Sequence, residues 1–531
     1  MPARVEIEQV EIVPCRVGED AYHDAGFLVN TFGHAGADDG CKSKADQQQA
    51  GGSHIAILHA FRGFITAGFV WLADEPVLDR QEEHAMTIKV ASPLPYRVFQ
   101  RSANGIADIP VSGRCDGPVE FRLGDSDWQP AESSQGRFSG VVRGVPVGGP
   151  HTLEVRSGSA TRTIRNLLVG DLWILAGQSN MDGYGKMVDL EAPCRMVHAY
   201  YYDETWGIAR DPLCVLDDSI DPVHWVSDDP AERARSVRWR REQGNLGAGL
   251  GIRFGKYLYE ATGVPVGLLV CSHGGTSMAR WNPELRSEGG RSLYGSMLRR
   301  VREAGGRVAG CLWYQGESDA LEVAGLDYGK NLRALVEQVR ADVEDPEMPF
   351  IQAQLGTYFA DDASMRDAWN RVQIEQLALE SDLANVATVA AIDATLCDII
   401  HADARSLRKI GALMALQARR LRFGEAGIEP GPRPVDAAFA DSGRATVRVR
   451  FSGVNGTLQP AARIVGFSAE SGETTIHAVR CVRESPTNVV IGFAEPLPAG
   501  STLWHGRGIN PACNLRDSFR FPVPVFRVVL E

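Results

Sequence analysis

Four short motifs in this chain carry side chains suited to acyl transfer. The first is Gly177-Gln178-Ser179-Asn180, which ends the apolar run Leu172–Ala176. A strand that stops at such a turn lifts a serine hydroxyl off a sheet edge. If a helix follows, its unpaired N–H groups face whatever that hydroxyl attacks. The second is Ser272-His273-Gly274-Gly275-Thr276, where paired glycines let backbone N–H groups approach a developing oxyanion. The third is Trp313-Tyr314-Gln315-Gly316-Glu317-Ser318-Asp319. Gln315 offers a neutral amide donor for an oxyanion hole. Glu317 and Asp319 either support that amide or bind a sugar hydroxyl, while Ser318 and Asp319 also suit a helix N-cap. The fourth is Asp398-Ile399-Ile400-His401, whose spacing lets a carboxylate reach a ring nitrogen and hold the histidine as a general base. Asp393 and Asp403 are rival orienters, and Asp403 is equally placed to cap the next helix. His273 is a second histidine near the motifs, but no acidic neighbour in the text orients it as a base.

Each motif follows a strand-like segment, and an α/β sheet collects active residues at the carboxyl ends of its strands. The runs Leu172–Ala176, Val266–Ser272, Ala309–Trp313 and Phe350–Leu355 read as strands buried on both faces. Between and after them, 248–262, 294–303, 328–344, 364–381 and 405–420 read as helices. In the third of these Leu332, Leu335, Val336, Val339 and Val343 recur at helical spacing. This alternation predicts an α/β domain over 167–428 with a parallel sheet. Short segments bounded by turn residues predict a small antiparallel sandwich over 95–166, and strands return over 429–531 after Pro430, Pro432 and Pro434. The region 1–94 is expected to be β-rich and of unknown role. In it 5–13 alternates like a strand, 36–53 reads as a loop and 55–73 as two short strands.

Composition bounds the function class. The chain has 531 residues, 44% hydrophobic and 23% charged, with 55 basic against 67 acidic residues for a net charge of −12. That size implies several domains, and the acidic balance argues against nucleic acid as partner. The arginine-rich stretch 233–241 reads as solvated, salt-bridged surface. Ten scattered cysteines form no C-x-x-C pair, so buried single thiols are expected and no metal or cofactor is implied. No apolar stretch calls for a membrane span. The N-terminus lacks a signal-peptide core, so the chain as written reads as cytoplasmic, or as secreted or periplasmic if a signal has been removed. Nothing in the text sets an oligomeric state.

Taken together, the four motifs, with Trp281 downstream of the glycine turn, resemble the sialate O-acetylesterase group of the SGNH hydrolase superfamily. Acetylxylan esterases of plants and microbes are close relatives. The resemblance spans about 95–531 and includes Val98-Phe99-Gln100-Arg101 and 512–526. It implies a flavodoxin-like three-layer α/β core flanked by β-rich domains. It further implies Ser179 as nucleophile, His401 as base, Asp398 as its partner, and an oxyanion hole from the N–H groups of Ser179 and Gly275 with the Gln315 amide. Two departures stand out: His273 occupies a position often aromatic, and Ala402 one often proline.

The expected activity is removal of O-acetyl groups from a carbohydrate, O-acetylated sialic acid first, through an acetyl-serine. Arg280, Trp281, Glu317 and Asp319 are the candidate sugar contacts, with Trp281 either stacking on a ring or packing in the core. Three rivals remain at this level: acetylated xylan as substrate, a carbohydrate-binding protein with an inactive core, and a thioesterase or lipase.

Overall fold

The computed structural model describes residues 87–531 except 189, 243, 322–326, 361 and 362. The expectations for 5–13, 36–53 and 55–73 lie outside these residues.

A parallel sheet forms the centre. Its strands are β1 (Ala160–Gly177), β2 (Val197–Tyr200), β3 (Val266–Val270), β4 (Gly310–Tyr314), β5 (Phe350–Gln354) and β6 (Val386–Ala390). They run side by side in the order β2-β3-β1-β4-β5-β6, every pair parallel, with Trp206–Ile208 antiparallel at the β2 edge. Every residue of β3, β4, β5 and β6 is buried, so both faces of the sheet are covered. The covering helices are amphipathic. In Tyr328–Asp342 the buried set is Tyr328, Leu332, Leu335, Val336, Val339 and Arg340. Gly251–Thr262 packs against the long helix Ala404–Phe423, which Asp403 caps by accepting the Ser406 N–H at 2.7 Å. The domain is therefore α/β with β-rich flanks.

Most of the expected elements depart from their sequence-based spans by a few residues, but β1 begins at Ala160 rather than Leu172, and β2 and β6 are absent from the sequence-based reading. Three departures have a structural cause. The segment 248–250 precedes its helix because Leu246–Ala248 pairs as a strand with Gly185–Lys186. The run 476–482, which the sequence alone suggests is one strand, is divided between two, Thr474–His477 and Arg480–Arg483, which belong to different sheets. In the N-terminal sandwich one pair is parallel: Val98–Gln100 lies beside Leu168–Gly170 of β1. The arginine-rich stretch lies in the helix Pro230–Glu242, none of whose residues is buried.

β1 ties the N-terminal β region to the parallel sheet. Its first half pairs with Gly148–Ser157 in the N-terminal sandwich and its second half is the centre of the parallel sheet. Between the halves sits Asp171, fully buried. Arg101 grips it bidentately, Nε to Oδ1 and Nη2 to Oδ2 both at 2.9 Å, and Gln100 Nε2 adds a bond at 3.0 Å. The C-terminal β region has two antiparallel four-stranded sheets over one core that includes Val447, Val449, Leu503 and Phe526.

A buried carboxylate stripped of its guanidinium is costly, whereas an exposed pair contributes little. Arg101→Met should therefore lower unfolding free energy by about 3–5 kcal/mol in denaturant titrations. Arg143→Met, which removes an exposed pair with Asp108, should cost less than about 1 kcal/mol. Equal costs for the two variants would show that the Asp171 pair does not hold β1 in place.

Candidate active site

β1 ends at Gly177, where φ is +131° and a Cβ would lie 2.2 Å from the Tyr314 carbonyl oxygen at the end of β4. Only glycine fits both constraints. The one-turn helix Ser179–Asp182 follows at once, and its first N–H groups have no carbonyl one turn back to bond. The parallel register places the turns after β1, β3 and β4 along one edge of the sheet.

The structure brings Ser179, His401 and Asp398 into a single line. Ser179 Oγ lies 2.8 Å from His401 Nε2, and His401 Nδ1 lies 2.6 Å from Asp398 Oδ2. The histidine arrives on a tight hairpin: Leu396 bridges Ala402, and Cys397 N–H donates to the His401 carbonyl. Asp398 Oδ1 holds the tip by accepting the N–H groups of Ile400 at 2.9 Å and His401 at 2.7 Å. Burial opposes ionisation of Asp398, but the bonds from the His401 ring and the two N–H groups outweigh it, so its carboxyl sits below the usual range. Neither rival orienter competes, because Asp393 pairs with Lys409 and Asp403 caps its helix. A cavity of about 590 Å³ opens at the root of this hairpin, lined by Thr395, Arg405 and Ser406 among others. None of Ser179, Gly275, Gln315 or His401 lines it, so the geometry of the line, not cavity size, marks the site.

The glycine turn runs alongside Ser179. A Cβ on Gly274 would lie 3.5 Å from Ser179 Cβ, and Gly275 holds φ +66° with open space beside it. Gln315 is placed otherwise than expected. Its Nε2 donates to the Thr276 carbonyl at 2.9 Å and to Asp319 Oδ2 at 2.5 Å, and the side chain is fully buried. Both amide hydrogens are thus used inside the protein, and the amide locks the glycine turn to the turn after β4 instead of facing an oxyanion.

Three of the four expected sugar contacts also prove structural. Trp281 is fully buried, packs edge-on against Trp313 at 5.2 Å, and donates its N–H to Thr276 Oγ1. Its ring has no open face for a sugar. Asp319 is buried and accepts the Met278 N–H. Glu317 is buried and accepts Asn180 Nδ2 at 2.7 Å. Arg280 remains exposed at the end of the short turn Met278–Trp281.

Sequence reasoning assigned no role to Asn180, Asp182 or Tyr184. Asn180 Nδ2 binds Glu317, while its Oδ1 accepts the Ala402 N–H at 3.0 Å, so one amide joins three of the four motifs. Asp182 is buried beneath the glycine turn, where burial raises its carboxyl to about 6 despite hydrogen bonds with Ser272, Cys214 and the Gly274 backbone. Tyr184 stacks on the His401 ring at 4.3 Å. All three lie within five residues of Ser179, which was the available signal. The eight described cysteines are unpaired thiols. Among the described residues no cluster of three His, Cys, Asp or Glu could hold a metal, and no helix is long and apolar enough to cross a membrane.

Burial raises Glu317 from 4.5 to about 7. The unfolded chain releases this proton near the lower value, so across that window the folded state holds more protons and stability falls as pH rises. Denaturant titrations at pH 5 and pH 8 should show Glu317→Gln losing less stability than the parent, by about 2–3 kcal/mol. Identical losses would mean that Glu317 does not titrate in this window.

Residues 169–420 match the family model for carbohydrate esterase, sialic acid-specific acetylesterase. Over 262 residues the chain is 29% identical to a probable carbohydrate esterase of Arabidopsis thaliana, a match covering 46% of this chain and 88% of that protein. The crystal structure of a carbohydrate acetylesterase from Xanthomonas citri shares the fold, with TM-score 0.60 at 22% identity over 82% of this chain and 99% of that one. The segment in which β1 presents Ser179 and the hairpin presents His401 is the part of the chain that matches the carbohydrate esterase family model, and the chain is an esterase.

Proposed function

We propose that this esterase removes O-acetyl groups from a carbohydrate through an acetyl-serine intermediate, on a flavodoxin-like three-layer core. The observation that carries the reading is the line from Ser179 Oγ through the His401 ring to Asp398, with contacts of 2.8 and 2.6 Å. His401 Nε2 takes the hydroxyl proton as Ser179 Oγ attacks the acetyl carbonyl. The Asp398 carboxylate, held ionised by its hydrogen bonds, stabilises the imidazolium that results. The oxyanion of the tetrahedral intermediate faces the N–H groups of Ser179 and Gly275. His401 then returns the proton to the departing sugar oxygen. Water, deprotonated by the same ring, attacks the acetyl-serine and releases acetate.

The core strand order supports the flavodoxin-like reading. Without the edge strand β2, the order β3-β1-β4-β5-β6 is 2-1-3-4-5 when counted along the chain, the flavodoxin arrangement. O-acetylated sialic acid is the favoured substrate class. The matched family model is named for it, and the exposed Arg280 guanidinium beside the glycine turn complements a sugar carboxylate.

Ser179→Ala should lower kcat on 4-nitrophenyl acetate by about 10³–10⁶-fold, and Asp398→Asn by about 10²–10⁴-fold, both with an unchanged melting temperature. Parent-like turnover in Ser179→Ala would exclude it as nucleophile. Acetate release from acetylated sialic acid and from acetylated xylan separates the substrate classes. Faster release from xylan, with no rise in sialate KM on Arg280→Gln, would overturn the sialate assignment.

A further inference from the structure

His273 is tied to the site by its backbone and to a second histidine by one edge of its ring. Its N–H donates to the Gly177 carbonyl at 2.9 Å, and the next residue, Gly274, packs against Ser179. The Nδ1 edge of the ring meets His224, with the two Nδ1 atoms 3.1 Å apart. His224 Nε2 lies 3.1 Å from Ser296 Oγ, and that hydroxyl donates to Asp221 Oδ2 at 2.6 Å. Asp221 is buried and also receives Arg299 Nη2 at 2.8 Å and Nε at 3.2 Å.

The inner end of this chain fixes every proton in it. A carboxylate paired with a guanidinium can only accept. The single Ser296 hydrogen therefore goes to Asp221, and Ser296 Oγ must accept from His224. His224 consequently carries its proton on Nε2 and presents a bare Nδ1. The short contact to His273 then requires the proton on His273 Nδ1. That leaves His273 Nε2 as a lone-pair acceptor. It has no hydrogen-bond partner among the described residues, and His273 is half-buried. Burial holds both rings neutral, aided by nearby cations. His224 is pushed well below its ordinary value, with His273, Arg300, Arg280 and Arg299 contributing, and His273 is pushed down to about 4, with Arg280 contributing.

We infer that His273 forms a hydroxyl-reading subsite beside Ser179: its Nε2 accepts a hydrogen bond from a free hydroxyl neighbouring the acetyl ester of the bound sugar. The inference rests on Ser179 as the esterase nucleophile and adds what the enzyme selects. A lone pair with no proton to offer favours a hydroxyl donor and gives nothing to an ether or a second ester. The subsite therefore takes partially acetylated glycans with a free vicinal hydroxyl. His224, Ser296 and Asp221 are positioning residues that act through His273.

The test compares two substrates: a sugar acetate with a free vicinal hydroxyl, and the same acetate with that hydroxyl methylated. The parent enzyme should favour the free hydroxyl by roughly tenfold in kcat/KM, the effect of one hydrogen bond in a partly desolvated site. His273→Phe keeps a ring and removes the acceptor, and the ratio should fall to near one. Ser296→Ala removes one hydroxyl at a distance, frees the His224 proton to move, and should lower the ratio at least threefold with His273 still in place. A ratio unchanged in both variants, or a slowing equal for both substrates, would overturn the inference. Ser179→Ala run in parallel separates the two levels. If it abolishes hydrolysis while the ratio is insensitive to His273→Phe, only the subsite fails. If it stays active, the underlying reading fails.

Discussion

The contact on which the site depends is between two strand ends. Gly177 closes on the Tyr314 carbonyl so tightly that no side chain fits, and the next N–H, from Gln178, donates to that same carbonyl at 2.9 Å. The turns after β1 and β4 are thereby held side by side. Gln178 Oε1 repeats the tie by accepting from Gly316 and Ser318. A parallel sheet puts strand ends on one edge in any case. What the Gly177 contact adds is distance, since the serine sits one residue beyond Gln178 and inherits its position from backbone that cannot relax.

Held this way, the turns need side chains between them, and the protein uses buried polar ones. Asn180 spans Glu317 and Ala402, Gln315 spans Thr276 and Asp319, and Asp182 lies under Gly274. An apolar filling would pack as well but would not set the angle of a loop. A buried amide with both hydrogens satisfied does, because each alternative orientation strands a polar group. This explains why residues of the types expected to touch substrate turned out to serve the scaffold.

Legibility followed range. The alignment of Ser179 with the Asp398–His401 pair was readable because it is signalled by residue type and local spacing: a turn after a strand, and a carboxylate three residues before a ring. The helices were readable where one apolar stripe repeats, as in 328–342. Trp281 and Gln315 were not, because exposure decides between contact and support, and exposure comes from neighbours far along the chain. The His224–His273 contact joins residues 49 apart and neither histidine sits in a recognisable pair. The split of 476–482 between two sheets likewise comes from the partner strands rather than from its own apolar residues.

Environment, more than identity, sets what each carboxyl near the serine does. Asp398 is partly exposed and collects hydrogen bonds from a ring and two backbone N–H groups, so it stays charged. Glu317 and Asp182 are sealed from water, and burial pushes both toward the neutral form. The same opposition that separates acids from bases in active sites separates the charged Asp398 from two buried carboxyls pushed toward neutrality here. A fully ionised Asp182, lying against the glycine turn, would set a negative potential where an oxyanion is proposed to form. Raising its pKa by burial weakens that opposition while its oxygens still hold the turn, so one desolvated carboxyl positions the glycines at a reduced electrostatic cost to the reaction beside them.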